Sequence, residues 1–216
     1  MVDIEKIYEI LESNYLGACC ELNFKNPFEL IVSARLSAQC KDERVNSVTP
    51  RLFKKFPNVD SLANANLNEI EEIIKPCGLF KTKSKDLKNM CIELRDKFNS
   101  EIPFGLENLQ KLSGIGRKTA NLVMSEVFGQ PSIIVDTHVA RITRKIGIHN
   151  EKDPFKIEMI LQKIVKKPNW SKFCHYLVHH GRKVCFARSP NCEGCCIKRY
   201  CKSGNENYGK KRNENR

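Results

Sequence analysis

The sequence predicts an all-α fold, on the strength of two observations. Alternating strand-like runs are almost missing from the chain. Apolar residues instead recur at helical spacing nearly everywhere, as in the series Leu87, Met90, Cys91, Leu94 and Phe98. With 216 residues, 41% of them hydrophobic, the chain is also long enough to bury a sizeable core, in one large domain or two small ones.

Helix-breaking and helix-capping residues divide the chain into roughly ten short helices. The first is predicted within Met1 to Tyr15, where apolar residues follow a helical pattern. Later boundaries are predicted at Asn26-Pro27, Gly78, Gly129-Gln130-Pro131 and Asp153-Pro154. Residues 132–135 are apolar and β-branched, but four residues suit a buried approach to a helix better than a strand. We expect a loose, solvated tail from Lys202 to Arg216.

The charge balance indicates a polyanionic partner. Lys and Arg number 37 against 25 Asp and Glu, which gives a net charge of +12. Such an excess suits nucleic acid, although a merely basic protein is also compatible with it. A membrane is disfavoured because no run of about 18 apolar residues is present. The N-terminus lacks the pattern of an export signal, and we therefore expect a cytoplasmic protein.

Eleven cysteines are an odd number, which argues against a full disulfide framework and favours metal or cluster binding. Four of them form the pattern Cys-x6-Cys-x2-Cys-x5-Cys: Cys185, Cys192, Cys195 and Cys201. Zinc accepts four cysteines but usually takes them from two Cys-x2-Cys pairs, whereas a 4Fe-4S cluster is larger and tolerates unequal spacing. Cys196 is an alternative to Cys195. For the other seven cysteines we expect ordinary core packing.

A glycine-containing turn lies between two predicted helices. Leu106, Leu109 and Leu112 end the first, and the second is predicted from Thr119 to Phe128. A Gly-x-Gly turn that leads into a helix directs backbone N–H groups outward, where they can bind a phosphate oxygen. A plain interhelical turn is the alternative. The side chain of Ile115, between the two glycines, is predicted to enter the core.

The segment Val135-Asp136-Thr137-His138 joins an apolar run to another predicted helix. Asp136 is placed to cap that helix by accepting backbone N–H bonds. Capping alone would explain this aspartate, but a capping carboxylate can also be catalytic.

The string Leu112-Ser113-Gly114-Ile115-Gly116-Arg117-Lys118-Thr119-Ala120 resembles the helix-hairpin-helix motif of the endonuclease III superfamily. Similar features run from about Asn26 to Cys201 and include Leu36-Ser37-Ala38-Gln39, Gly78-Leu79-Phe80, Asp136, His180-Gly181-Arg182 and the four cysteines. Two departures concern the sites themselves. Ser113 stands where proline is common, and Cys40-Lys41 replaces the usual small or hydroxyl residues, close to where a flipped base would bind.

This resemblance implies a bifunctional DNA glycosylase and abasic-site lyase that removes oxidised pyrimidines in base excision repair. Lys118 would be the nucleophile, although phosphate pairing is the alternative role for this lysine. Asp136 would stabilise the positive charge that grows on the sugar and help to move protons. The covalent imine acidifies the C2′ proton, and β-elimination then cuts the strand on the 3′ side.

The resemblance also implies how DNA is held. The target base must leave the helix, and Gln39 and Leu79 would fill the gap. Further DNA contacts would come from Gly114, Ile115, Gly116, Arg117 and His138. The partner would be double-stranded DNA with damaged pyrimidines or abasic sites, and we expect a monomer.

The implied architecture is two helical lobes with DNA between them. Residues 21–130 would form a six-helix domain with the helix-hairpin-helix, and residues 1–20 plus 131–201 a 4Fe-4S cluster domain, followed by the tail. The x6, x2, x5 spacing in this family favours Cys195 over Cys196 as a ligand. Two alternatives remain open, namely a mismatch-specific glycosylase on the same fold and a non-catalytic DNA-binding protein or redox sensor.

Overall fold

The computed structural model of the chain describes residues 2–206, and the regular structure within them is helical. The all-α prediction is confirmed. The α-helices are α1 (Ile4–Asn14), α2 (Pro27–Leu36), α3 (Asp42–Lys55), α4 (Val59–Ala63), α5 (Leu67–Ile74), α6 (Phe80–Phe98), α7 (Leu106–Gln110), α8 (Arg117–Glu126), α9 (Thr137–Ile146), α10 (Pro154–Ile164) and α11 (Trp170–Lys183). Short 3-10 helices occupy Lys75–Cys77, Lys167–Asn169 and Lys198–Tyr200. Among the described residues, no helix has the length and apolar character needed to cross a membrane.

The chain divides into two compact units. We call Glu21–Gln130 the hairpin unit, because it contains the Gly-x-Gly turn. The second unit combines the N-terminal residues up to Cys20 with the chain from Pro131 onward. We call it the cysteine unit, because it contains the four spaced cysteines.

The hairpin unit is built around α6, which packs against α2, α4 and α5. The face of α6 that carries Leu87, Met90, Cys91 and Leu94 is completely buried. Burying one such side chain stabilises the fold by roughly 1.5 to 3 kcal/mol. Helix α2 begins at Asn26-Pro27 as predicted, because the Asn26 side chain accepts the backbone N–H of Glu29 at 2.9 Å.

The cysteine unit is centred on α11, which packs against α1 and α9. Tyr8 of α1 packs against Tyr176 of α11 in a tilted arrangement, with ring centroids 5.7 Å apart. Their hydroxyls both donate to Glu12 Oε1, at 2.9 Å from Tyr8 and 3.3 Å from Tyr176. Helix α10 begins at Asp153-Pro154 as predicted. Residues 132–135 are buried and form no regular element, which confirms that they are an apolar approach to a helix.

The helix after the glycine turn differs from its prediction. It runs from Arg117 to Glu126 instead of from Thr119 to Phe128. It begins earlier because Gly116 has extended backbone angles and is already its N-cap, so Lys118 lies in the first turn. It ends earlier because Gly129 turns with φ of +62°, and its N–H bonds back to Ser125 O at 3.1 Å.

Two further predictions are corrected. Residues 202–206 are helical rather than loose, and Gly204 is buried, so that a Cβ added there would lie 3.4 Å from Cys201 Cβ. The rest of the predicted tail, 207–216, lies outside the described residues.

The prediction of core packing for the other seven cysteines is only partly right. It is confirmed for Cys77, Cys91 and Cys174, but it is wrong for the exposed Cys19 and the half-buried Cys20, Cys40 and Cys196. Isolated cysteines carry no periodic signal that would have separated these groups.

Candidate functional site

The glycine turn can be built only with glycine at its first position. Gly114 has φ of +74°, and a Cβ there would lie 2.4 Å from Arg35 Nε and 2.9 Å from Asp86 Cβ. Arg35 and Asp86 form a partly buried ion pair, in which Arg35 Nε donates to Asp86 Oδ2 at 3.0 Å. The turn therefore packs directly on this pair. Ile115 is 5% exposed, so its side chain enters the core as predicted.

Ser113 fixes the turn to α6. Its backbone N–H donates to Glu93 Oε2 at 2.7 Å, and its hydroxyl donates to Glu93 Oε1 at 2.8 Å. A proline at this position could make neither bond, because it has no N–H and no hydroxyl. Ser113, which departs from the superfamily pattern, thus joins the turn to α6 through two hydrogen bonds that the sequence alone did not reveal.

The turn delivers Lys118 to the N-terminal end of α8. Gly116 is the N-cap and supplies no side-chain hydrogen bond to the first turn of the helix. Lys118, the second residue of α8, is exposed, whereas Arg117 is half-buried. A helix N-terminus without a side-chain cap attracts anions, because its N–H groups and the helix dipole both favour negative charge. An exposed primary amine therefore stands beside a site suited to phosphate.

Gln39 and Leu79 share an unusual backbone conformation in the hairpin unit. Gln39 has φ of +54° and Leu79 has φ of +46°, and both residues are exposed. Each left-handed non-glycine residue costs about 1 to 2 kcal/mol. The Leu79 side chain is 59% exposed, which removes the possibility that it is an ordinary core leucine. Strained, exposed residues of this kind are typical of functional sites.

Asp136 lies in the cysteine unit and caps α9. Its Oδ1 accepts the backbone N–H of Val139 at 2.7 Å, and the residue is half-buried at the end of the apolar segment. The capping prediction is therefore confirmed. Lys118, Gln39 and Leu79 belong to the hairpin unit, whereas Asp136, His138 and the four cysteines belong to the cysteine unit.

His138 is connected through Arg141 to the segment from Cys185 to Cys201, which we call the cysteine loop. The sequence had not singled out Arg141. Arg141 Nη2 lies 3.1 Å from His138 Nδ1 and donates to the carbonyl of Cys185 at 2.8 Å. Gly181 makes this arrangement possible, because a Cβ there would lie 2.4 Å from His138 Nδ1. The close approach explains the glycine of the His180-Gly181-Arg182 string.

The four spaced cysteines line one cavity of about 180 Å³. Cys196 is not among the lining residues, whereas Cys195 is. Apolar side chains of Ile142, Ile146 and Ile197 complete much of the wall. Among residues 2–206, no three His, Cys, Asp or Glu side chains are grouped to hold a single metal ion.

Burial shifts three of the cysteine thiols of the cavity toward their protonated form. Burial raises the pKa of the Cys195 thiol to about 12, and burial likewise raises the pKa values of Cys185 and Cys201. A bound cationic centre would be needed to hold such thiols as thiolates near pH 7. Four cysteine sulfurs around one cavity are the ligand set of a 4Fe-4S cluster, so the residues present fit such a group.

His180 also lines the cavity of the four cysteines, although the sequence singled it out only within the string His180-Gly181-Arg182. Burial lowers the pKa of His180 to about 4, so its imidazole is neutral near pH 7. The Tyr15 hydroxyl lies 2.8 Å from Nδ1, and Cys195 Sγ lies 3.5 Å from Nε2. Burial raises the pKa of Tyr15 to about 12, so the phenol stays protonated and can donate to Nδ1. The opposite ring N–H then points at the sulfur.

Comparison with known proteins identifies relatives over nearly the whole chain. Residues 32–167 match the family model of the HhH-GPD superfamily base excision DNA repair protein. Endonuclease III of Synechocystis is 41% identical over 199 residues, which cover 92% of this chain and 91% of the relative. A solved non-covalent endonuclease III–DNA complex has a TM-score of 0.91 at 38% identity and covers 95% of this chain and 96% of the other.

A second solved structure is a trapped endonuclease III–DNA covalent intermediate, described as an estranged-adenine complex. It also has a TM-score of 0.91 at 38% identity, with 95% of this chain and 97% of that chain covered.

Proposed function

Because the chain belongs to the HhH-GPD superfamily, and within it to the endonuclease III family of DNA glycosylase/abasic-site lyases, we propose that it excises oxidised pyrimidines. The substrate is double-stranded DNA that contains a damaged pyrimidine or an abasic site, and the strand is cut 3′ to the lesion. One observation carries the assignment to this chain: the turn presents the exposed amine of Lys118 at the uncapped start of α8.

Lys118 performs the covalent step in this proposal. Its nitrogen lone pair attacks C1′ of the damaged nucleotide, and the bond from C1′ to the base breaks, with its electron pair leaving on the base. The nitrogen then loses a proton, and the C1′–O4′ bond of the sugar breaks with its electron pair leaving on O4′, which takes up a proton. The resulting protonated imine withdraws electrons from C2′, so a C2′ proton is lost. Those electrons form the C2′–C3′ double bond, and the C3′–O bond breaks with the phosphate as leaving group. Water then releases Lys118.

Asp136 supplies the negative charge for base removal. Positive charge grows on the sugar as the base leaves, and a fixed carboxylate stabilises it. The hydrogen bond from Val139 N at 2.7 Å holds this carboxylate at the start of α9, so capping and catalysis use one side chain. We assign a proton relay to the same carboxylate, which accepts the proton that the attacking Lys118 nitrogen loses and passes it to the departing base.

Gln39 and Leu79 occupy the gap that the extruded nucleotide leaves. Leu79 inserts as an apolar wedge, and the Gln39 amide bonds to the orphaned base opposite. Their exposure supports this assignment, because a buried side chain could not enter a duplex, and their left-handed backbone is typical of functional sites. Gly114, Ile115, Gly116 and Arg117 contact the phosphate backbone through the turn, and His138 contributes from α9.

We also propose that Cys185, Cys192, Cys195 and Cys201 hold a 4Fe-4S cluster. The shared cavity, which Cys195 lines and Cys196 does not, supports this assignment over a ligand set with Cys196. The bound group would supply coordination only, pinning the loop between Cys185 and Cys201. The neutral His180 ring orients Cys195 through its N–H. Arg141 fixes the other end of the loop at Cys185 O.

A substrate panel tests the proposed function against the mismatch-specific alternative. We expect release of thymine glycol and nicking of that strand, with no release of normal thymine opposite guanine. The opposite preference would overturn the oxidised-pyrimidine assignment. A Lys118→Gln variant that binds duplex DNA but cleaves nothing would exclude a purely non-catalytic binding role for the parent.

A further inference from the structure

Lys83 of α6 is completely buried, with 0% of its surface exposed. A lysine nitrogen in such a place is unfavourable unless its donors find acceptors. Its Nζ donates to two main-chain carbonyls, Leu36 O at 2.8 Å and Cys77 O at 2.9 Å. One buried side chain therefore ties together two segments of backbone that are far apart in the sequence.

These two segments carry Gln39 and Leu79. Leu36 is the last residue of α2, three positions before Gln39, and Cys77 ends a 3-10 helix two positions before Leu79. Both Gln39 and Leu79 are exposed with positive φ. The Lys83 amine thus lies beneath the two segments that the proposed function brings to the DNA.

Lys83 also holds the second segment through its main chain. Its backbone N–H donates to Leu79 O at 2.9 Å, while its side chain bonds to Cys77 O. Lys83 therefore bonds to the main chain just before Gly78 and at Leu79, and so holds this segment at both ends. Left-handed residues relax toward more favourable angles when their surroundings loosen, so these bonds help to maintain the strained conformation.

The two carbonyl bonds do not depend on the charge of Lys83. Burial has the largest effect on the pKa of Lys83 and lowers it. The nearby Cys40 and Cys77 raise this pKa, whereas Arg35 lowers it. Either the ammonium or the neutral amine can donate to both carbonyls. The connection between the segments is therefore a geometric one.

We propose that Lys83 is a positioning residue for base extrusion, which holds the Gln39 and Leu79 segments at a fixed separation so that both side chains enter the same gap. The inference rests on the proposed function, in which these two side chains fill the gap in a duplex. Lys83 itself touches no DNA. A single-stranded abasic substrate has no opposite base and no stacked gap, so its cleavage by Lys118 does not require the two segments to be aligned.

The test compares abasic-site cleavage in duplex and in single-stranded DNA for Lys83→Met. We expect kcat/KM on the duplex to fall by roughly tenfold or more, because small misplacements have effects of that order. Cleavage of the single strand should stay within about twofold of the parent, since Lys118 is unaltered. Lys88→Met is the matched control, because Lys88 also donates from α6 to a carbonyl, Ala65 O at 2.8 Å, away from both segments.

A double-mutant cycle separates positioning from general support of the core. In a Gln39→Ala/Leu79→Ala background, Lys83→Met should change duplex cleavage by less than about twofold, because the residues through which it acts are gone. An undiminished effect in that background would overturn the proposal, as would normal duplex cleavage by Lys83→Met alone.

Folding is monitored by thermal unfolding, and Lys83→Gln, which retains N–H donors, serves as the second variant. If neither variant folds, Lys83 is a core residue and the positioning role is refuted. A parent protein that cleaves neither substrate would refute the proposed function itself, and the inference with it.

Discussion

At the scale of single residues, Asp136 has an observed structural role and a proposed chemical role in one carboxylate. Its Oδ1 is fixed by the Val139 N–H at the beginning of α9. Asparagine caps helices about as well as aspartate but carries no charge. The two roles can therefore be separated by one substitution.

We predict that Asp136→Asn keeps the free energy of unfolding within about 0.5 kcal/mol of the parent, because the cap survives. Base excision should nevertheless fall by about 100-fold or more, because a preorganised charge is lost. Single-turnover release of thymine glycol and chemical denaturation measure the two effects. Asp153→Asn is the control, since Asp153 caps α10 through Phe155 N at 2.9 Å and should affect neither quantity. Normal excision by Asp136→Asn would contradict the proposed role.

At the scale of elements, the two glycines of the turn have different physical requirements. Gly114 has φ of +74° and lies against Arg35 and Asp86, whereas Gly116 has extended angles and open space around its Cα. The string Gly114-Ile115-Gly116 predicts two special glycines, but only the structure shows which one is sterically required.

We predict that Gly114→Ala lowers the free energy of unfolding by about 2 kcal/mol or more, from left-handed strain and the contact with Arg35. Gly116→Ala should lower it by less than about 1 kcal/mol, because its backbone angles and surroundings accept a methyl group. Urea denaturation of both variants measures the difference. Equal losses would show that the turn is not constrained as the structure indicates.

The cysteine loop is the second element that can be tested by a matched pair. Cys195 lines the cavity and its neighbour Cys196 does not. We predict that Cys195→Ser loses iron and the visible absorbance of the cluster, whereas Cys196→Ser retains both. Iron analysis of the two purified variants gives the result. Iron loss in the opposite variant would reassign the ligand, and zinc in the parent protein would refute the cluster.

How much could be predicted from the sequence also depends on the element. Helix boundaries at Asn26-Pro27 and Asp153-Pro154 were predictable, because capping is a local property. The Lys83 contacts with Leu36 and Cys77 were not, because they join segments distant in the chain and a buried lysine resembles an exposed one in sequence. The same holds for the contact of Arg141 with Cys185 O.

At the scale of the whole molecule, the net charge of +12 bears on how DNA is bound. Phosphates release counterions when Lys and Arg neutralise them, so affinity falls with salt. We predict that Lys118→Gln, which the proposed mechanism makes inactive, loses roughly 1000-fold in duplex affinity between about 50 and 200 mM salt. Fluorescence anisotropy measures this directly. Affinity independent of salt would contradict binding through the phosphate backbone.

The central claim is that Lys118 forms a covalent imine with damaged DNA. Borohydride reduction during reaction with a thymine glycol duplex tests it most directly. We predict a trapped protein–DNA adduct with the parent and with Lys111→Ala, a control for another exposed lysine near the turn, and none with Lys118→Ala. An adduct that persists in Lys118→Ala, or an active parent that releases the base without one, would contradict the account.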